Sequence, residues 1–134
     1  MRGKQIEFMT TEYPGLYEKV VPEDHPLRTV AEQVDFLFVY RELNERYPAQ
    51  IGRPPYDPVF LFKYLFLKAQ YDLTDEEVVE RSRYDLSFKY FLGLSPEDDV
   101  INPSTLSRFR TQRFQDEQQL ERMLATVRKA WPAE

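Results

Sequence analysis

Asp57-Pro58-Val59-Phe60-Leu61-Phe62-Lys63-Tyr64-Leu65-Phe66-Leu67-Lys68-Ala69-Gln70-Tyr71 is the stretch that decides the fold. Asp57 is placed to cap a helix, and Pro58 suits the first helical position, where no N–H is needed. From Pro58 to Tyr71 the residues are apolar nearly all round the helix. A helix without a polar face belongs at the centre of a core. Lys63, Lys68 and Gln70 are expected to mark its narrow wet edge. No useful length of the chain alternates with a period of two, so the fold class is all-α.

C-terminal to this helix, Leu73-Thr74-Asp75-Glu76-Glu77-Val78 is a complete helix start. Thr74 and Glu77 have capping-box spacing, and Leu73 and Val78 have hydrophobic-staple spacing. That helix should run to about Arg83. Asp85 caps a short helix, Leu86 to Leu92, which Gly93 closes as the left-handed residue. An acidic loop, Ser95 to Val100, follows. Asn102 or Ser104 then caps another helix, which Leu120, Met123, Leu124, Val127 and Trp131 would continue as an apolar stripe. N-terminal to Asp57, Thr29 and Glu32 form a second capping-box pattern. Val30, Val34, Phe36, Leu37, Tyr40, Leu43 and Tyr47 follow at helical spacings, and Pro48 ends the run. The linker Gly52-Arg53-Pro54-Pro55-Tyr56 is stiff. Residues 1–28 hold three prolines and read as an irregular arm, partly docked by Phe8, Tyr13 and Tyr17. The expected architecture is a compact bundle of about five or six helices. Residues 1–28 form the arm, 29–114 the helical domain and 115–134 a C-terminal helix extension.

At 134 residues the chain has the length of one domain, and its nine Tyr, ten Phe and one Trp are too many for a disordered chain. Without cysteine there is no disulfide, no thiolate zinc site and no thiol nucleophile, which fits a cytoplasmic protein. The N-terminus has no apolar signal core. Val59–Leu67 is interrupted by Lys63 and falls short of the roughly 20 residues of a membrane span. The net charge of -5 argues against a non-specific polyanion binder, which would be strongly basic. It leaves room for one local basic surface.

That surface is Asn102-Pro103-Ser104-Thr105-Leu106-Ser107-Arg108-Phe109-Arg110-Thr111-Gln112-Arg113-Phe114, with three arginines and no acid. The helices at 74–83, 86–92 and 103–114 have the lengths of a helix-turn-helix-like unit, whose last helix enters the major groove of double-stranded DNA. There Ser and Thr contact phosphates or bases, and Arg makes paired bonds to guanine. On a helical wheel Leu106 and Phe109 point to the core. Ser104, Arg108 and Thr111 lie on the opposite face with Gln112 beside them, and these four are the leading groove contacts. Thr105 and Ser107 add hydroxyls to the same helix. Arg110 and Arg113 fall nearer the core side. Arg110 reads equally as a DNA contact or as a rim ion pair, and Arg113 leans towards the ion pair, with Asp72, Asp75 or Glu76 as partners. Lys89, Arg81 and Arg83 could reach phosphates from the bracing helices, or simply form a solvated face.

Other features have plainer readings. Tyr84, Phe88, Tyr90 and Phe91 are spaced for core packing rather than base stacking. Ser82 and Ser87 read as cap or surface hydroxyls. His25 alone cannot build a metal site and reads as exposed or capping. Asp75-Glu76-Glu77 sit in a first turn, where they complement the helix dipole. Glu97-Asp98-Asp99 have no specific metal spacing. No phosphate loop, nucleophile elbow or nucleophile–base pair is present, so no catalytic residue, metal ligand or cofactor is expected in this chain.

The residues also carry a family resemblance. Pro22-Glu23-Asp24-His25-Pro26-Leu27-Arg28 precedes Val34-Asp35-Phe36. Gly52-Arg53-Pro54-Pro55-Tyr56-Asp57-Pro58 precedes Leu61-Phe62-Lys63. Phe88-Lys89-Tyr90-Phe91-Leu92-Gly93-Leu94 and Ser104-Thr105-Leu106-Ser107-Arg108-Phe109-Arg110 complete the series. In this order, over residues 22–114, the chain resembles the N-terminal domain of InsH-like bacterial insertion-sequence transposases of the DDE class. The resemblance implies a module that recognises the terminal inverted repeats of a mobile element. It also implies a following catalytic domain with three metal-binding carboxylates, which is not expected within these residues. Such a chain reads as a fragment, a truncated insertion-sequence relic or a stand-alone product, and only the last would occupy element ends and block a full-length transposase. In one departure, Pro103 stands where family members often carry a histidine before the Ser-Thr pair. The alternative reading is a helical protein-interaction or dimerisation module of a transposition complex. It is motivated by the stripe Leu120, Met123, Leu124, Val127 and Trp131, which would seek a partner if left uncovered.

Overall fold

The computed structural model describes residues 11–45 and 57–133. Among them every regular element is a helix, and there are eight. These are α1 (Leu16–Val20), α2 (Pro26–Gln33), α3 (Phe38–Glu42), α4 (Pro58–Gln70), α5 (Asp75–Tyr84), α6 (Leu86–Leu92), α7 (Pro103–Gln112) and α8 (Glu117–Arg128). The fold is all-α, with more and shorter helices than expected.

α4 lies at the centre and touches α3, α5, α6 and α7. Asp57 accepts a hydrogen bond from the Val59 N–H at 2.8 Å, and Pro58 occupies the first turn. Every residue from Pro58 to Leu67 is buried. This includes Lys63, so the expected wet edge is narrower and comprises Lys68 and Gln70. Lys63 is buried because its position on the helix faces Phe36 and Phe91, whose rings lie 4.9 and 5.4 Å from Nζ.

Local caps set the other boundaries. Thr74 and Glu77 form both bonds of their capping box, at 3.1 and 2.9 Å. Asp85 caps α6, and Gly93 ends it with φ 85°, a region that a side chain would disfavour. Asn102 caps α7 through the Ser104 N–H at 2.8 Å, with Pro103 in the first turn.

Three expectations change. The second helix starts at Pro26, not Thr29, because the Nδ1 of His25 accepts from the Leu27 N–H and Pro26 needs no partner. α1 and this first turn therefore fall inside the stretch expected to be irregular. The helical run then breaks at Val34, where Asp35 accepts from the Leu37 N–H at 3.0 Å in a tight Asx turn. The break delivers Phe36 to the core, and α3 resumes at Phe38. Tyr47, Pro48, the Gly52–Tyr56 linker and Phe8 lie outside the described residues. Finally, the helix from Pro103 does not run on. It ends at Gln112, and Asp116 caps α8 through the Gln119 N–H at 2.8 Å. The α8 stripe packs onto its own core, with Met123, Leu124 and Val127 buried and Leu120 and Trp131 partly buried. Trp131 lies 6.2 Å from the Phe66 ring.

The expected aromatic core is formed by Phe88 and Phe91, which are fully buried. Tyr84 departs from it at 68% exposed, because it sits at the last residue of α5, beyond the buried side of that helix. Ser82 departs in the other direction. It is fully buried between α4 and α5, its hydroxyl donating to the Val79 carbonyl at 2.6 Å and meeting the Tyr64 hydroxyl at 2.7 Å. Among the described residues, no helix is long and apolar enough to cross a membrane.

Candidate nucleic-acid interface

α7 is held by α4 and α5 along one side. Leu106 and Phe109 point inward and are buried. Ser104, Arg108, Thr111 and Gln112 are exposed, so the structure places these four on one outward face. Thr105 and Ser107 flank it and are half-buried. The Ser104 hydroxyl donates to Asn102 Oδ1 at 2.9 Å, which leaves its lone pairs facing outward. Thr111 Oγ1 bonds back to the Ser107 and Arg108 carbonyls at 3.2 Å. Arg108 forms no ion pair among the described residues and is exposed.

The remaining cations of the expected site have structural partners. Arg110 Nη1 donates to Asp75 Oδ1 at 2.6 Å, tying α7 to the first turn of α5. Asp75 is one of the three acids that the sequence suggested. Arg113 pairs with Glu45, which the sequence did not suggest, and its guanidinium lies 5.7 Å from the Phe109 ring centre. Lys89 is withdrawn from the surface altogether. It is 2% exposed, and its ammonium donates to the Asp98 carbonyl. Burial lowers its pKa, against the opposing pull of Asp98 and Asp99. Arg81 pairs with Asp85 at 2.9 Å while lying over Tyr71 and Phe88, and Arg83 pairs with Glu80 at 3.3 Å. Burial pushes the Asp85 carboxyl up. The hydrogen bonds from Ser87, Arg81 and the Phe88 N–H outweigh that effect, so its pKa falls.

The acidic loop before α7 is structural too. Glu97 accepts from Thr11 Oγ1 at 2.8 Å and the Glu12 N–H at 2.9 Å, docking the start of the described chain. Asp98 Oδ2 accepts from the Ser95 N–H at 2.8 Å. Among the described residues, no three His, Asp or Glu side chains converge as a metal site. Sequence reading missed the role of Glu97, whose partners lie at the other end of the chain, and that of Asp98, which depends on how the loop after α6 folds back over Lys89.

The Arg110–Asp75 pair is half-buried, so it should matter more to the fold than a free surface pair. Arg110→Gln is expected to lower stability by about 1–2 kcal/mol in a urea titration, because Asp75 loses a charged partner. A loss below the error of the fit would show that the pair is ornamental.

The described residues thus define an all-helical domain that turns the hydroxyl, amide and guanidinium groups of one helix outward. A family model for a transposase domain, DUF772, matches residues 16–112. The match spans α1 to α7, and the chain belongs to this transposase-domain family. No curated protein and no solved structure matches the chain.

Proposed function

We propose that the chain is the DNA-binding module of an insertion-sequence transposase of the InsH-like, DDE class. In this reading α7 lies in the major groove of an element's terminal inverted repeat. α5 and α6 brace it as a helix-turn-helix-like unit, with residues 29–114 as the binding domain. The observation that carries it is the sorting of α7 within a transposase-family domain. Arg110 and Arg113 are spent on ion pairs, while Ser104, Arg108, Thr111 and Gln112 remain outward. Arginine there suits the N7 and O6 of guanine, and the Gln112 amide suits adenine. The cutting and joining chemistry would belong to a separate carboxylate-bearing domain, and the setting would be the cytoplasm. The dimerisation reading rested on the α8 stripe, and that stripe is occupied by the chain's own core.

Arg108→Ala is expected to weaken binding to the element end by about 1–3 kcal/mol and to relax base preference at the contacted position. A mobility-shift titration of element-end against random duplex measures both. Equal affinity of the unaltered chain for the two duplexes would sink the reading.

A further inference from the structure

With Arg110, Arg113 and Lys89 committed to the fold, the α7 face carries a single cation without an ion pair among the described residues, in a chain of net charge -5. Affinity for duplex DNA comes largely from neutralised phosphates, so one arginine is too little. Elsewhere, three cations converge. An open groove of about 670 Å³ runs between α3 and α8, with Arg41, Arg122 and Lys129 along it and Val34, Phe38 and Met123 beneath. All three cations are exposed, and none forms an ion pair among the described residues. By contrast Arg81, Arg83, Arg110 and Arg113 are paired, and Arg28, Lys63 and Lys89 are buried. Two acids, Asp35 and Glu42, also line the groove. Asp35 is engaged in the turn before α3 through the Leu37 N–H, and the cations outnumber the two.

The groove adjoins the end of α7. Arg113, the residue that closes α7, pairs with Glu45 just past α3. Gln119 of α8 donates to the Glu42 carbonyl at 3.0 Å and accepts from the Gln115 N–H at 2.7 Å. The ends of α3 and α7 and the start of α8 therefore meet at one corner, and the cationic groove opens from it.

We propose that this groove holds the phosphate backbone of duplex DNA through Arg41, Arg122 and Lys129, supplying the sequence-independent attraction that α7 lacks. The proposal rests on the DNA-binding reading above, but its test does not need the element's own sequence. The probe is a random-sequence duplex, titrated with the full chain over a range of salt. The combined variant Arg41→Gln, Arg122→Gln, Lys129→Gln is expected to make the slope of log affinity against log salt shallower by about 2 to 3, since each phosphate contact contributes about 0.9. Base preference at an element end should persist. The three residues are exposed, and circular dichroism checks that the helices remain. Single variants should each remove about 1 from the slope. A control, Lys19→Gln with Lys68→Gln, takes cations from outside the groove and should leave the slope unchanged.

An unchanged slope in the combined variant overturns the groove while leaving α7 recognition standing. An equal drop per charge in the control overturns it as well, because net charge would then be responsible. Loss of self-association with unchanged DNA binding would make the groove a protein contact and overturn it. Absence of any binding to random duplex at low salt also overturns it. Equal affinity of the unaltered chain for element-end and random duplex, with the groove's salt slope intact, would instead count against α7 alone.

Discussion

Lys63→Met is expected to raise the stability of the fold by about 2 kcal/mol at pH 7. Lys63 is wholly buried, and burial brings its pKa from 10.5 down to about 8, although the Asp57 charge pulls the other way. A lysine so placed costs the folded state about 3 kcal/mol while it stays protonated. The Phe36 and Phe91 rings recover about 1 kcal/mol of this through their electron-rich faces. Methionine fills a similar volume, needs no partner and packs well against both rings. The pH dependence has a definite sign. Below about pH 8 the lysine is protonated in both folded and unfolded chains, and its full cost is present. As pH rises from about 8 towards 10.5 the folded chain releases the proton first, and the cost disappears. The advantage of Lys63→Met should therefore shrink over that window. Burial also raises the pKa of Tyr64, to about 12, and those of Tyr17, Tyr71 and Tyr90. These groups lose stability as pH climbs above 10, but they are common to both proteins and cancel in the difference. Urea titrations at pH 7 and pH 10 measure the effect. Equal stability at pH 7, or an advantage that grows with pH, would refute this account of Lys63.

Lys63 also shows where sequence reading stops. A lysine one turn into an apolar helix reads as its wet edge, because a lone charge is expected to find water. Its burial depends on Phe36 and Phe91, which arrive from distant parts of the chain. The caps were legible because their bonds span two or three residues. Asp57, Thr74 with Glu77, Asp85, Gly93 and Asn102 each stand where the sequence placed them. Thr29 with Glu32 failed for a local reason, since Pro26 and His25 start the helix one turn earlier. The break at Val34 was hidden by apolar residues that keep helical spacing across it, and Asp35 was the available signal. Asp116 with Gln119 likewise marks the start of α8. The outward face of α7 followed from the wheel, which set Arg110 and Arg113 nearer the core but left their partners open until the fold supplied them. The partner of Arg110, Asp75, was among three acids suggested around the start of another helix, whereas Glu45, the partner of Arg113, was not suggested and needed the fold. Lys89 was misplaced because its proximity to Asp98 depends on how the loop after α6 folds back.

Arg28→Ala is expected to destabilise the fold by about 3–5 kcal/mol, a large part of the stability of a domain of this size. α1 has five residues, too few to persist as a helix without tertiary support. Arg28, from α2, supplies that support. Its Nε donates to the Val21 carbonyl and its Nη2 to the Tyr17 carbonyl, each at 2.9 Å. Its guanidinium lies 4.7 Å from the centre of the Tyr90 ring. Tyr17 in turn donates to the Leu94 carbonyl at 2.5 Å, so α1 is fastened to the end of α6. The alanine variant loses two charge-assisted bonds. The Tyr17 carbonyl keeps the Val21 N–H, but the Val21 carbonyl loses the bond Arg28 gave it beside a side chain 2% exposed. Arg28→Lys preserves the charge without the planar fork that spans two carbonyls, and should recover less than half of the loss. Global stability in urea gives the size of the effect, and amide exchange in α1 gives its location. If α1 were an appendage, Arg28→Ala would expose α1 amides while global stability fell by under 1 kcal/mol, about the worth of one ordinary hydrogen bond. The contacts argue for the opposite result. α1 closes over α6, α6 packs on α4 and α5, and α5 holds α7 through Asp75. A lost α1 should therefore be felt at the helix proposed to read DNA.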